Sequence, residues 1–257
     1  MRPVFPNSAV VRAPERFVLR GGRWSGVDIP VRYGVFDHAV GGRCLVDTGY
    51  SRRTVAGKRS LMLRLYAAVL RPKLTGDALP EAEQRVDAIL LTHLHADHIS
   101  ALKDYPEAKL YANGAAVRHF LHGARVGGVR HGFFRELLPD DFEARLTAFE
   151  TLVQVEAPFG LGLSADVFGD GSVLAVPLEG HMRGHTGIVW TTGARALLYA
   201  ADAEWMREAI VSDRSPGAPA QFILDDRSAA RESGGRIKRF IEQGGDVVLC
   251  HDPEPLI

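Results

Sequence analysis

The chain has 257 residues, and its 31 lysines and arginines balance 31 aspartates and glutamates, so the formal net charge is zero. Hydrophobic residues make up 46% and charged residues 24%, which is typical of a globular protein and excludes disorder as the main state. The balanced charge argues against non-specific nucleic-acid binding, which needs a basic surface. No apolar run approaches the roughly 18 residues that a membrane span requires.

Two cysteines, Cys44 and Cys250, are too few for a disulfide framework and indicate a reducing compartment. No signal peptide is recognisable at the start of the sequence. We therefore expect a cytoplasmic protein without nucleic-acid or membrane partners. Each cysteine is expected to be a small buried hydrophobe, and Cys250 is expected to point away from its neighbour His251.

The predicted elements of the first half alternate strands and helices. Apolar runs bounded by glycine pairs predict strands over residues 17–20, 30–38 and 43–47. Helical periodicity predicts a helix over 58–73. The run over 86–92 is mostly apolar, which is typical of a strand buried on both faces.

The second half continues in the same way. Asn113 is a candidate helix cap, and helices are predicted over 113–122, over 140–150 and over 227–243, with Gly234-Gly235 as a candidate interruption of the last. Strands are predicted over 173–178, 187–191, 196–200 and 247–250. Runs of strands with helices between them indicate a layered domain of sheets and helices.

A dense group of metal-ligand side chains follows the predicted strand 86–92. His93, His95, Asp97 and His98 fall within six residues. Alternate residues of an extended chain point to the same side, so His93 and His95 can converge on one ion. Asp97 and His98 follow a turn and can face a second ion. All four directly follow an apolar strand, which favours a metal site over a polar surface loop.

Three further ligand types stand at or just beyond the ends of later predicted strands. His185 lies in a glycine-containing loop after the strand 173–178, Asp202 follows 196–200, and His251 follows 247–250. Functional side chains are commonly carried at such positions on a rigid scaffold. The three together predict that the metal site draws ligands from distant parts of the chain.

This ordered pattern, with Asp47-Thr48-Gly49 before it, resembles the metallo-β-lactamase superfamily over most of the chain. The resemblance implies a four-layered αββα sandwich, a single α/β domain over residues 1–257. It also implies two metal ions. His93, His95 and His185 would bind one ion, Asp97, His98 and His251 the other, and Asp202 would bridge them. Asp47 and His181 would support the ligands without binding metal.

The resemblance implies a hydrolase in which two divalent ions lower the pKa of a shared water, giving a bridging hydroxide. Asp97 would accept the proton of the nucleophile and help to deliver one to the leaving group. Asp97 and Asp202 are the predicted catalytic residues. Imidazole and carboxylate ligands without a thiolate do not single out one metal. Zinc is the default, with iron and manganese open.

Positions at which this sequence differs from known family members indicate which branch of the family it resembles. Asp202 argues against β-lactamases that place a cysteine there. The chain is most similar to small single-domain hydrolases such as N-acyl-homoserine lactonases, so a lactone or similar ester is the expected small-molecule substrate. Trp205 stands where several lactonases have a tyrosine. Other ester, phosphotriester or β-lactam hydrolysis, and a non-catalytic metal-binding sensor, are the alternatives.

The segment 115–168 is predicted to be a helical substrate cover, with Phe133 and Phe134 lining an apolar pocket. The predicted helix 58–73 is a second candidate wall, since Leu61, Leu65 and Val69 share one face. The same face is also a candidate homodimer contact.

Overall fold

A computed structural model describes residues 2–80, 85–123, 129, 131–212, 214, 217, 221 and 223–254. The chain divides into two compact units. The N-terminal unit comprises Pro3–Arg12 and Pro30–Ala148. The C-terminal unit comprises Met1–Arg2, Ala13–Ile29 and Phe149–Ile257.

The strands are numbered in chain order. They are β1 (Asn7–Pro14), β2 (Gly26–Arg32), β3 (Gly34–His38), β4 (Gly42–Val46), β5 (Lys73–Leu74), β6 (Ala88–Leu90), β7 (Lys109–Ala112), β8 (Leu146–Ala148), β9 (Gln154–Ala157), β10 (Gly162–Asp166), β11 (Val173–Pro177), β12 (Thr186–Trp190), β13 (Leu197–Ala201) and β14 (Asp246–Leu249). A small sheet has the order β2-β1-β5.

Among the described residues, three α-helices have nine or more residues and the others have four or five. They span Glu15–Val18, Arg52–Val55, Leu61–Leu70, Ala96–Ile99, Gly114–His122, Phe142–Arg145, Arg207–Val211 and Arg227–Glu242. Side chains cap the longer ones: Ser60 accepts a hydrogen bond from the Leu63 N–H, Asn113 from Ala116 N–H, and Asp226 from Ser228 N–H. These caps satisfy N–H groups that the first helical turn leaves without an intrahelical acceptor.

The main sheet of the N-terminal unit has the order β3-β4-β6-β7-β8. β3 and β4 are antiparallel, whereas β4, β6, β7 and β8 pair in parallel. Ala88, Ile89 and Leu90 of β6 are all buried, as the apolar run predicted. Because parallel strands end at the same edge of a sheet, residues following β4 and β6 lie side by side.

The main sheet of the C-terminal unit has the order β14-β13-β12-β11-β10-β9. The pairs are antiparallel except β13 with β14, which are parallel. The helix Arg227–Glu242 packs Ile237 and Phe240 into the core beside Leu198 and Leu249. The carboxyl ends of β13 and β14 therefore open at one edge, where Asp202 and His251 follow.

Most predicted elements are confirmed with ends shifted by a few residues. The helix Arg227–Glu242 runs through Gly234-Gly235 without a break. The helix Leu61–Leu70 lies inside the predicted range 58–73, and its predicted apolar face is exposed. Leu65 is 51% exposed and Val69 78%, whereas Leu63 is buried.

Four predictions are wrong. Residues 17–20 form no strand, because a helical turn over Glu15–Val18 is held by Arg23, whose backbone N–H and Nε–H donate to Glu15. The predicted strand 30–38 is divided into β2 and β3 at Tyr33, whose N–H donates to the carbonyl of Pro6.

The predicted helix 140–150 is reduced to Phe142–Arg145, because the following residues pair with β7 as β8. Tertiary pairing here outweighs local helix propensity. For the same reason the segment 115–168 is not a helical cover, since it carries β8, β9 and β10 after the helix Gly114–His122. Residues 124–128 and 130 lie outside the described part of the chain. That residues 1–257 form one domain stays a prediction.

No helix in the described ranges combines the length and the apolar character that crossing a bilayer requires.

Candidate metal centre

In the N-terminal unit, four of the predicted ligands lie together where β6 ends. His93, His95, Asp97 and His98 are each buried, with at most 8% of the residue exposed. His95 directly precedes the short helix Ala96–Ile99, which carries Asp97 and His98. The turn from extended chain into helix brings these four residues together.

The ligand atoms of this group are close to one another. His93 Nε2 and His95 Nδ1 lie 3.0 Å apart, and the rings of His93 and His98 have centroids 4.0 Å apart. Asp97 Oδ2 lies 3.6 Å from His98 Nε2. Such spacings are those of donors that share metal ions, whose bonds to nitrogen and oxygen are about 2.0–2.2 Å long.

Asp47 supports this group from the neighbouring strand. It follows β4 with a positive φ of 61°, which turns its carboxylate toward the end of β6. Its oxygens accept hydrogen bonds from the Thr92 N–H and Thr92 Oγ1–H, both at 2.8 Å, and from His98 Nδ1–H at 2.8 Å. The bond to Nδ1 fixes the ring and leaves Nε2 as the nitrogen for a metal, the usual role of a carboxylate behind a ligating histidine.

In the C-terminal unit, Asp202 lies between two histidines. Its Oδ2 is 3.1 Å from His251 Nε2 and 3.4 Å from His181 Nε2. Ala201, which precedes it, has a positive φ of 46° and so turns the chain sharply at the end of β13. Strained backbone of this kind is often kept where a functional side chain must be aimed.

His185 is placed differently from the prediction. Its Nε2 accepts a hydrogen bond from the Asp202 N–H at 3.2 Å, and its Nδ1 donates to the Leu178 carbonyl at 3.0 Å. Both ring nitrogens are therefore hydrogen-bonded to backbone groups. The Nε2 lone pair, which would otherwise bind a metal, accepts the hydrogen bond from Asp202. The hydrogen bonds argue for exchanged roles, with His181 as ligand and His185 as its support.

The loop that carries His181 is held by the start of the helix Arg227–Glu242. The N–H groups of Asp226 and Asp225 donate to the carbonyls of Gly180 and His181 at 3.1 and 3.3 Å. Gly180 has φ 124°, and a Cβ there would overlap the backbone of Ala230. Only glycine allows this close approach, which places the His181 ring beside Asp202.

Cys250 contradicts the expectation that it points away from His251. Its Sγ, a ring nitrogen of His251 and a carboxylate oxygen of Asp202 all lie within 4.8 Å of one another. Cys250 is buried, as predicted. Burial disfavours a charged His251, but the Asp202 carboxylate and Cys250 outweigh it and hold the pKa of His251 well above its usual value.

Of the predicted pocket residues, Trp205 borders the C-terminal group. The Trp205 ring lies 6.3 Å from that of His181 and 6.1 Å from that of His251, measured between centroids. In the N-terminal unit, the carbonyl of Gly132 accepts a hydrogen bond from the Ala96 N–H at 3.0 Å, and Phe133 and Phe134, which follow Gly132, are both buried. Phe134 stacks edge-on against Tyr66 of the helix Leu61–Leu70, with centroids 5.1 Å apart.

Sequence reasoning missed Glu204, two residues after Asp202. Burial raises the pKa of its carboxyl to about 7. Its Oε2 is buried and has no hydrogen-bond partner among the described residues. The only signal in the sequence was its nearness to Asp202, which does not distinguish it from a surface glutamate.

The donor set of each unit fits a divalent metal. Buried imidazole nitrogens and carboxylate oxygens within a few ångströms of one another are the ligands that zinc and similar ions take in proteins. Leaving such groups buried without a bound cation would be costly. The N-terminal unit supplies His93, His95, Asp97 and His98, and the C-terminal unit supplies His181, Asp202 and His251.

Comparisons with known proteins identify a family, related sequences and related structures. The sequence model of the family described as the Metallo-beta-lactamase superfamily matches residues 30–249. The probable metallo-hydrolase Rv2300c of Mycobacterium tuberculosis is 29% identical over 237 residues, which cover 83% of this chain and 72% of that protein. The N-acyl homoserine lactonase AttM of Rhizobium johnstonii is 26% identical over 168 residues, which cover 64% of this chain and 57% of that protein.

A solved structure described as a quorum-quenching N-acyl homoserine lactone hydrolase superposes with a TM-score of 0.70 at 17% identity. The superposition covers 98% of this chain and 92% of that one. Together with the family match, it confirms the predicted fold class, a mixed α/β fold with several sheets.

Proposed function

This chain belongs to the metallo-beta-lactamase superfamily, and on that premise we propose that it is a dinuclear hydrolase that opens a lactone or similar ester. A substrate of the N-acyl-homoserine-lactone type is favoured. Membership of the family and the metallo-hydrolase relatives identify the chain as a metal-dependent hydrolase. We further propose that it uses two ions and acts on this class of substrate.

The observation that carries the proposal is the composition of the two ligand groups. We propose that His93, His95 and His181 would hold one ion and Asp97, His98 and His251 the other, with Asp202 as a ligand available to both. His181 replaces His185 in this set because both nitrogens of His185 are engaged by Asp202 and Leu178. His185 and Asp47 then act as positioning residues, each behind one group.

Two divalent ions, when bound, lower the pKa of a shared water and polarise the substrate carbonyl, which is the chemistry that ester hydrolysis needs. Zinc is the proposed metal. Asp97 accepts the proton of the attacking water and returns one to the departing oxygen. The balance is simple: the water oxygen joins the carbonyl carbon, the ring C–O bond breaks, and the alkoxide becomes a hydroxyl group.

Apolar side chains near the N-terminal ligands support an acyl substrate. Phe133 and Phe134 follow Gly132, whose carbonyl accepts a hydrogen bond from the ligand-bearing helix, and both are buried, so they can contribute only to an enclosed pocket. On the neighbouring helix Leu61–Leu70, Leu61, Leu65 and Val69 present apolar side chains that are more than half exposed. We propose that this face contacts the acyl chain of the substrate, while the Trp205 indole N–H, a donor that cannot act as an acid, faces its polar end.

We propose a cytoplasmic setting. Cys44 and Cys250 are both buried, and neither forms a disulfide within the described residues, which supports a reducing compartment. The proposed partner is a small-molecule substrate. The exposed face of Leu61–Leu70 stays the candidate homodimer contact if it does not contact substrate.

Hydrolysis assays on metal-loaded protein test the proposal. The panel comprises acyl-homoserine lactones of different chain length, aryl esters, phosphotriesters and β-lactams, each with wild type, His93→Ala and Asp202→Ala. We expect lactone turnover by wild type only, with both variants folded by circular dichroism. Metal binding without turnover of any substrate would favour the non-catalytic sensor, and activity retained in both variants would refute the ligand assignment.

A further inference from the structure

Cys250 occupies a position that the proposed ligand set does not use. It follows β14, and its N–H donates to the Ala201 carbonyl at 3.0 Å, so the ends of β13 and β14 are joined next to Asp202. The side chain is fully buried. Its Sγ lies within 4.8 Å of ligand atoms of both Asp202 and His251.

The spacing of these three atoms suits one metal ion. Ligands bound tetrahedrally at zinc distances of 2.0–2.3 Å are about 3–4 Å apart. His251 Nε2 and Asp202 Oδ2 are separated by 3.1 Å. A sulfur atom within 4.8 Å of both can complete such a set after small shifts of the side chains.

We propose that Cys250 is a further metal ligand, binding as a thiolate beside Asp202 and His251. This rests on the proposed function, since it adds a donor to the same centre. When the metal binds, the thiol S–H bond breaks, a metal–sulfur bond forms and the proton passes to solvent. A thiolate is a soft donor that favours zinc over manganese, so Cys250 also selects the metal.

Cys44 gives a matched control. It is the other cysteine of the chain, equally buried, and its Sγ–H is directed at the carbonyls of Gly41 and Gly42. It lies in β4, before the turn at Asp47. A change from sulfur to oxygen at Cys44 therefore alters a buried thiol without altering the proposed donor set.

The test uses cobalt as a coloured substitute for zinc. Chelator-treated wild type, Cys44→Ser and Cys250→Ser are each loaded with Co²⁺ and dialysed, and the cobalt content and absorption spectrum are recorded. Thiolate coordination adds an intense near-ultraviolet charge-transfer band, whereas nitrogen and oxygen ligands give only weak visible bands. Cys250→Ala is measured in parallel, and circular dichroism checks the fold of every variant.

We expect the charge-transfer band in wild type and Cys44→Ser and its loss in both Cys250 variants. Cobalt bound without the band in wild type, or a band that persists in folded Cys250→Ala, would overturn the thiolate ligand while leaving the proposed hydrolase intact. A thiol that only hydrogen-bonds to His251 gives the first of these results. If wild type binds no cobalt and no zinc, the proposed function fails together with this inference.

Discussion

The backbone N–H of Asp202 donates a hydrogen bond to Nε2 of His185, 3.2 Å away. Because Nε2 accepts, Nδ1 must carry the ring proton, and it donates to the Leu178 carbonyl. His185 therefore ties the end of β13 to the end of β11 and holds Asp202 in place. His181, four residues earlier, directs its Nε2 at the Asp202 carboxylate instead.

These hydrogen bonds predict that alanine substitutions at His181 and His185 weaken metal binding to different extents. His181→Ala should remove a direct donor and lower the metal content of the dialysed protein, whereas His185→Ala should keep the metal but bind it about 10–100-fold more weakly, as for other supporting residues. Metal analysis with a competing chelator measures both. His119→Ala, at an exposed histidine of the helix Gly114–His122, is the control. A larger loss of metal binding in His185→Ala than in His181→Ala would identify His185 as the ligand.

Asp47 gives a second prediction, on the N-terminal unit. Asp47→Asn removes a charge that receives three hydrogen bonds, from Thr92 and His98, so the His98 ring loses its fixed orientation. We expect metal affinity to fall about 10–100-fold. Asp37→Asn changes an exposed aspartate of the same unit and should leave affinity unchanged. An Asp47→Asn protein with wild-type affinity would show that Asp47 does not support His98.

Glu204 predicts a pH dependence of stability in the metal-free protein. Burial raises the pKa of its carboxyl to about 7, above the value in the unfolded chain. The folded state therefore holds the proton longer, and stability falls as pH rises from about 4.5 through 7. Glu204→Gln stays neutral, so its free energy of unfolding relative to wild type should increase by about 2 kcal/mol between pH 5 and pH 8.

Urea unfolding of chelator-treated protein at the two pH values measures this difference. Glu242→Gln, at an exposed glutamate of the helix Arg227–Glu242, should show no comparable change. An equal difference between Glu204→Gln and wild type at both pH values would mean that the Glu204 carboxyl is not neutral in the folded state.

Much of the candidate site could be predicted because the proposed ligands follow strands. His93 through His98 follow an apolar run whose burial the sequence makes plain, and Asp202 and His251 follow similar runs. The family resemblance supplied the order of the ligands and the fold. The choice between His181 and His185 could not be made in this way, since it depends on which ring meets the Asp202 N–H.

The errors in the fold have a common cause in long-range contacts. Residues 146–148 became a strand only because β7 offers them a partner. The periodicity of Leu61–Leu70 indicated an apolar face, but it could not indicate whether that face is buried or exposed. The proximity of Cys250 to Asp202 depends on the parallel pairing of β13 with β14, which brings residues about 50 positions apart to one edge.

The exposed apolar face of Leu61–Leu70 predicts a chain-length effect on substrate binding. Leu65→Glu places a charge on a side chain that is 51% exposed in the wild type. If the face contacts the acyl chain, KM should rise about tenfold for long-chain lactones and little for short ones, because each buried methylene contributes about 0.8 kcal/mol. Val211→Glu, at an exposed valine of the C-terminal unit, is the control.

The two alternatives for this face give different results in the same experiment. An unchanged KM together with a smaller hydrodynamic size of Leu65→Glu would identify the face as a dimer contact. An unchanged KM and an unchanged size would contradict both roles.

The central claim is that two bound ions perform ester hydrolysis, and a single titration tests it most directly. Chelator-treated protein is titrated with Zn²⁺ while the rate of N-acyl-homoserine lactone opening is followed at saturating substrate. We expect activity to rise from zero and saturate at about two ions per chain, the number that a shared-water mechanism needs. Saturation at one ion, or zinc bound at two per chain with no hydrolysis of any lactone or ester, would contradict it.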